Sequence, residues 1–78
     1  MRGMALEALR LAIGEAHAAA RSGRGAFVHE RADAFEVNDR PPPACEVCLE
    51  VDAAGFVFAR TARSRCEPAL GTVDEVCA

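Results

Sequence analysis

Apolar residues recur at helical spacing near the start of the chain. Between residues 4 and 21 they fall at intervals of three and four, which places them in one stripe at about 100° per residue. Ser22-Gly23 follows, and glycine is suited to the left-handed end of a helix. The pattern predicts an amphipathic helix over 4–21, with a buried stripe formed by Leu6, Leu9, Ile13, Ala16 and Ala20.

A second, smaller apolar strip lies on the same predicted helix. Met4 and Leu11 fall roughly opposite the main stripe, beside Ala18. Single exposed leucines are ordinary on soluble proteins, so this strip is either wrapped by the small domain or simply exposed. The other interpretation is a contact with a partner or a second copy.

The middle of the chain shows two short strand patterns and a proline-rich connector. Residues 34–38 alternate between apolar and polar and predict a strand, and residues 26–29 are a second candidate. Residues 38–44 contain Pro41-Pro42-Pro43. Three successive prolines are incompatible with a helix interior or a central strand, so we expect a stiff extended connector there.

Residues 45–62 have the pattern of a β-hairpin. Val47, Leu49 and Val51 alternate with polar or small residues, and Asp52-Ala53-Ala54-Gly55 has the residues that type I turns prefer at their ends. An apolar run follows from Phe56. The spacing therefore predicts two antiparallel strands joined at this turn.

The register of this hairpin has two solutions. A four-residue loop pairs Val51 with Phe56 and Leu49 with Phe58, which gathers the large apolar groups on one face. A three-residue loop with a bulge instead puts both phenylalanines beside acidic residues of the first strand. We expect the first register, because it gives the helix one coherent face to cover.

The remaining residues, 63–78, form a short tail whose structure is ambiguous. Thr72 and Glu75 have the spacing of a capping box, which favours one helical turn after Thr72. The predicted fold class is α+β. A single small domain, residues 1–78, packs the N-terminal helix on an antiparallel sheet of about three strands.

Size and composition favour binding over catalysis. A chain of 78 residues fits one domain and leaves little room for a deep substrate pocket. Its nine basic residues are all arginine, its net charge is −3, and it has neither tryptophan nor tyrosine. General binding to a phosphate backbone is therefore not expected. No apolar run approaches the roughly 20 residues that span a bilayer. Glu7 and Arg10 interrupt the apolar stretch near the start, which disfavours a signal peptide, so a cytoplasmic location is expected.

Acidic residues are concentrated in the middle of the chain. Residues 30–52 hold seven carboxylates against two arginines. A row of carboxylates attracts a basic partner and imitates the charge of a nucleic acid, although a solvated surface with interspersed charge has the same composition. The candidate partner-binding residues are Glu30, Asp33, Glu36, Asp39, Glu46, Glu50 and Asp52.

Four cysteines offer an alternative chemistry. Four thiolates are able to hold a structural zinc ion. However, the C-x-x-C pair continues a strand pattern, and residues three apart in a strand face opposite sides. Small buried side chains are the favoured interpretation, and a disulfide between the last two would need an oxidising compartment. The alternative zinc ligands are Cys45, Cys48, Cys66 and Cys77.

The two histidines give no catalytic signature. His17 lies near the edge of the helical stripe, and His29-Glu30 lacks the second histidine of an H-E-x-x-H motif, since Asp33 stands in its place. A Cys–His nucleophile pair has no local signature to support it either. The sequence therefore predicts a protein that is not an enzyme and needs no cofactor.

These observations lead to an expectation about function. We expect a monomer, or a weak homodimer, that binds a larger protein stoichiometrically as an inhibitor or modulator, without binding nucleic acid or a membrane itself. A phage or mobile-element anti-host factor, such as an anti-CRISPR protein that blocks nucleic-acid binding with its acidic surface, is one concrete example. The alternative is a small interaction module that holds a structural zinc ion with its four cysteines.

Overall fold

The computed structural model describes residues 2–43 and 46–78, and the side chains of residues 6–43 and 46–78. Helix α1 spans Arg2–Arg21 and is followed by strands β1 (Phe27–Arg31), β2 (Ala34–Asn38), β3 (Val47–Val51), β4 (Phe56–Thr61) and β5 (Gly71–Thr72), and by the short helix α2 (Val73–Val76). The five strands form one antiparallel sheet in the order β2-β1-β3-β4-β5.

The predicted N-terminal helix is confirmed, including the way it ends. Gly23 has a φ of 84°, and the amide of Arg24 donates to the carbonyl of Ala19 while that of Gly23 donates to Ala20. These two hydrogen bonds form a Schellman motif, which satisfies carbonyls that the helix end would otherwise leave unpaired. Ile13 and Ala16 of the predicted stripe are buried, Leu9 and Ala20 are half-buried, and Leu6 is exposed.

The α+β class is confirmed, but the sheet has five strands where the sequence predicted about three. Both candidate strands in the middle of the chain form, and they pair as a hairpin around Ala32-Asp33. The additional strand, β5, is only two residues long and pairs with the start of β4. The predicted capping box also forms: the Thr72 hydroxyl accepts from the amide of Glu75, and the Glu75 carboxylate accepts from the amide of Thr72.

The expected register of the second hairpin is wrong. Leu49 pairs with Ala59 and Glu50 pairs with Phe58, which is the arrangement with a three-residue loop. Gly55 has a φ of 88°, and the Asp52 carboxylate accepts the amide of Phe56 at 2.9 Å. A left-handed glycine in the third loop position produces this bulge, so the turn determines the register.

The observed register gives the two faces of the sheet different contents. One face carries small and β-branched residues and packs against α1, with Val28, Val51 and Val57 in the core beside Ile13 and Ala16. The other face, here called the open face, carries no helix in the described part of the chain. Phe27, Cys48, Glu50, Phe58 and Arg60 lie on it, because they alternate with the core residues along their strands.

Candidate functional site

The seven candidate acids do not form one patch. We call the sheet end that holds the Ala32-Asp33 turn and the start of β3 the turn end. The pairing register places Glu30, Asp33 and Glu46 at the turn end, Asp39 and Asp52 at the opposite end, and Glu36 and Glu50 on the open face. The close spacing in sequence becomes three separate locations because successive residues of a strand alternate between faces.

Four of these carboxylates are engaged within the chain. Glu36 lies 3.9 Å from Arg31, Glu46 pairs with His29, and the Asp52 carboxylate accepts the Phe56 amide in the hairpin loop. Glu50 binds two arginines. These acids satisfy local partners, so they are less available to an external one.

Glu50 is the centre of a layer of side chains that covers the open face. Its carboxylate is 3.0 Å from Arg60 and 3.6 Å from Arg65, and its side chain is only 18% exposed. The Arg60 guanidinium lies over the Phe27 ring at 5.4 Å, and that of Arg65 lies over Phe58 at 3.9 Å. Cation–π contacts and charge pairing thus allow two phenylalanines to be buried without a covering helix.

Cys48 belongs to the same layer and is 4% exposed. Burial raises the pKa of the Cys48 thiol, an effect that nearby Arg60 opposes and Glu50 reinforces. A nucleophilic cysteine needs a lowered pKa and access to solvent. Among the described residues no hydrogen bond joins Cys48 to His29, so the geometry gives this pair no nucleophilic arrangement.

The described cysteines are dispersed. Cys48 is buried in the sheet, Cys66 is exposed after β4, and Cys77 is half-buried just after α2, all with free thiols. Cys45 lies outside the described residues. Within residues 2–43 and 46–78, no group of three or more metal-binding side chains comes together. The geometry of the described cysteines therefore does not support the zinc-module alternative.

His17 and Leu11 have different surroundings on α1. A side-chain carbon added to Gly55 would come within 3.3 Å of His17 Nε2, so this histidine packs against the hairpin loop. Leu11 is 71% exposed, which agrees with the interpretation that the second strip is simply exposed. The Met4 side chain lies outside the described side chains, so the alternative interpretation, a contact with a partner or a second copy, stays a prediction.

A polar groove and an apolar depression are present on the described surface. The polar groove, of about 700 Å³, lies between the proline connector and the open face of β1 and β2. The charged and titratable residues that line it are His29, Glu30, Arg31, Glu36, Arg40 and Glu46. Its positive and negative side chains are interleaved, so it has no net preference for one sign of ligand.

The second depression is apolar and lies beside α1 at the turn end. We call it the notch, a volume of about 160 Å³ lined by Leu9, Val28, Glu30, Phe35, Val47, Cys48 and Leu49. The notch was not predicted from the sequence, because the expected register assumed that the helix covers all the apolar residues of β3. The available signal was the absence of a second long helix to cover the rest of the sheet.

Glu30 and Asp33 are the unengaged acids at the turn end. Both are exposed, and among the described residues neither makes an ion pair or a side-chain hydrogen bond, a property that Asp39 shares at the opposite end of the sheet. Glu30 lines the notch, and Asp33 follows in the adjoining turn. The turn end therefore combines two unengaged carboxylates with exposed apolar surface.

Neither helix within the described residues has an apolar stretch that could span a bilayer.

Comparison with known proteins gave no match. Neither protein-family models, nor curated proteins, nor solved structures match this chain.

Proposed function

We propose that this protein acts without catalysis, by stoichiometric binding of its turn end to a basic surface of a larger protein. The observation that carries the proposal is the pair of unengaged carboxylates, Glu30 and Asp33, next to exposed apolar side chains. Interfaces of this kind combine apolar contact with complementary charge that guides association.

A nucleic-acid-binding protein is the partner class that the charge favours. Such a protein presents arginines and lysines to phosphate groups, and an acidic competitor occupies the same surface. An anti-host factor of a phage or mobile element, such as an anti-CRISPR protein, works in this way. We place the action in the cytoplasm, where exposed thiols such as Cys66 remain reduced.

Charge reversal at the turn end tests the proposal. The double variant Glu30→Arg/Asp33→Arg is compared with Glu15→Arg/Asp39→Arg, which makes the same change in net charge at exposed residues elsewhere. Each protein is immobilised and used for affinity capture from host cells, with the bound proteins quantified by mass spectrometry. Circular dichroism and thermal unfolding establish that each variant is folded.

The proposal predicts a defined result. The amount of a basic protein that the wild type captures should fall about tenfold or more with the turn-end variant and stay unchanged with the control variant. If both variants lose capture equally, net charge alone explains the binding. If all three proteins capture it equally, the turn end is not the binding surface. Either result overturns the proposal.

A further inference from the structure

The sheet is wider than the helices that cover it. Five strands about 4.8 Å apart span about 19 Å between their outermost axes, whereas a helix with its side chains is about 10–12 Å across. Helix α1 packs on β1, β2 and β3, and α2, with only four residues, packs near β4 and β5. Within the strands that α1 contacts, the exposed Val47 and the depression beside Leu9 mark a region at the turn end of β3 that described residues leave uncovered.

The uncovered region is the notch, and its lining is predominantly aliphatic and aromatic. Val47 is 66% exposed although it is β-branched and lies in a strand next to the core. A volume of about 160 Å³ is close to that of a cavity of about 150 Å³ that accepts benzene, so one phenyl or large aliphatic side chain fits.

The charge at the notch indicates which residues would flank a partner side chain inserted into it. Among the described residues that line the notch, Glu30 alone is charged, and Asp33 extends the negative charge along the turn. Arg31 pairs with Glu36 on the other face, and no ion pair joins it to Glu30 or Asp33 among the described residues. An arginine or lysine flanking the inserted side chain would therefore find a free carboxylate within one or two residues.

We infer that the notch receives one large apolar side chain of a partner segment whose neighbouring residues are arginine or lysine. The inference rests on the proposed function and specifies how the turn end recognises its partner. The apolar side chain occupies the gap that α1 leaves over β3, and the basic neighbours pair with Glu30 and Asp33.

Three synthetic peptides test this inference directly. The first has a central phenylalanine between two arginines on each side. The second has alanine in the central position, and the third has glutamates in place of the arginines. Binding to the complete chain is measured by fluorescence anisotropy at low salt, and the contact site is located by amide chemical-shift changes in NMR spectra.

Matched variants locate the interaction. Val47→Gln makes the rim of the notch polar, and Leu11→Gln makes the same kind of change on an exposed leucine outside it. We expect the phenylalanine peptide to bind about tenfold more tightly than either comparison peptide. Val47→Gln should remove that advantage and Leu11→Gln should preserve it, with shifts centred on Glu30, Val47 and Leu49.

Three results would overturn the inference. They are equal binding of the phenylalanine and alanine peptides, chemical shifts away from the notch, and no binding at about 1 mM. None of them decides the capture experiment above. Loss of charge-dependent capture together with binding of the phenylalanine peptide in the notch would instead refute the proposed function and leave the notch as a peptide site.

Discussion

At the scale of single residues, Gly25 is the position where the backbone leaves least room. A side-chain carbon added there would overlap the carbonyl group of Asp39, and its next contact would be the Phe27 ring at 3.2 Å. The backbone between α1 and β1 thus lies very close to the backbone that follows β2. Only glycine permits this approach without movement of the chain.

Gly25→Ala should therefore destabilise the fold. The expected loss is about 1–3 kcal/mol of unfolding free energy, the usual range for forcing extra volume into a packed site. Gly14→Ala is the control, because nothing lies within 4 Å of the added carbon and the position is inside α1. That change should stabilise by about 0.5–1 kcal/mol. Urea unfolding measures both, and a neutral Gly25→Ala would contradict the close approach.

Cys48 gives the second prediction at this scale, which concerns reactivity. The thiol is buried and its pKa is raised, whereas Cys66 is exposed. In the native protein iodoacetamide should modify Cys48 roughly a hundredfold more slowly than Cys66, the factor for an opening free energy of about 3 kcal/mol. Peptide mapping by mass spectrometry measures the two rates, and similar rates would show that Cys48 is accessible.

Because the pKa of Cys48 is raised, the free energy of unfolding should vary with pH in the alkaline range. A thiol with a raised pKa in the folded state favours folding while it is protonated, so its contribution is complete below the ordinary pKa of 9.0 and falls as pH rises above it. The chain has no lysine and no tyrosine, so cysteines dominate the titration there. The unfolding free energy should decline above pH 9.0, and less so in Cys48→Ala.

At the scale of elements, α2 depends on its capping box. This helix has four residues, too few to be stable by propensity alone, and the Thr72–Glu75 exchange satisfies two of its amides. The Arg10 side chain also donates to the carbonyl of Cys77 at 2.7 Å, which ties the end of α2 to α1.

Thr72→Ala should destabilise the protein by about 1 kcal/mol and increase amide exchange in α2. Thr72→Ser keeps the hydroxyl that accepts the Glu75 amide, so it should remain close to the wild type. Hydrogen-exchange mass spectrometry of the last segment distinguishes the two variants. Equal protection in all three proteins would mean that the cap does not support α2.

The elements also show what sequence patterns determine and what they leave open. Periodicity located α1 and β2, and the capping spacing located α2, because each depends on nearby residues. The register of the second hairpin depended on two further facts: Gly55 adopts a left-handed conformation, and arginines from beyond β4 cover Phe58. A pattern of apolar residues contains neither, so it assigned the phenylalanines to the wrong face.

At the scale of the whole molecule, the layer centred on Glu50 takes the place of a second helix. Glu50→Gln would leave the half-buried Arg60 and the more exposed Arg65 without their shared carboxylate, at an expected loss of about 1–3 kcal/mol. Glu36→Gln removes an exposed pair at 3.9 Å and should change stability by less than about 0.5 kcal/mol. Thermal unfolding compares them, and equal effects would refute the central role of Glu50.

The candidate site was less predictable than the fold. The sequence indicated an acidic surface, but sheet pairing divided its seven residues among three locations, and only Glu30 and Asp33 remain exposed and unengaged at the described turn end. The notch lies between α1 and the strands that this helix packs against. It becomes visible only after the positions of the helix and the strands are known.

Strand β2 is five residues long and forms one edge of the sheet. An edge strand of this length, with Phe35 and Val37 in it, is a template for pairing with another chain. Asp33, Glu36 and Asp39 are spaced along this edge, so copies brought together there would meet with like charges. These like charges therefore oppose edge-to-edge pairing between copies of the protein. Glu36→Val should therefore produce concentration-dependent association in analytical ultracentrifugation.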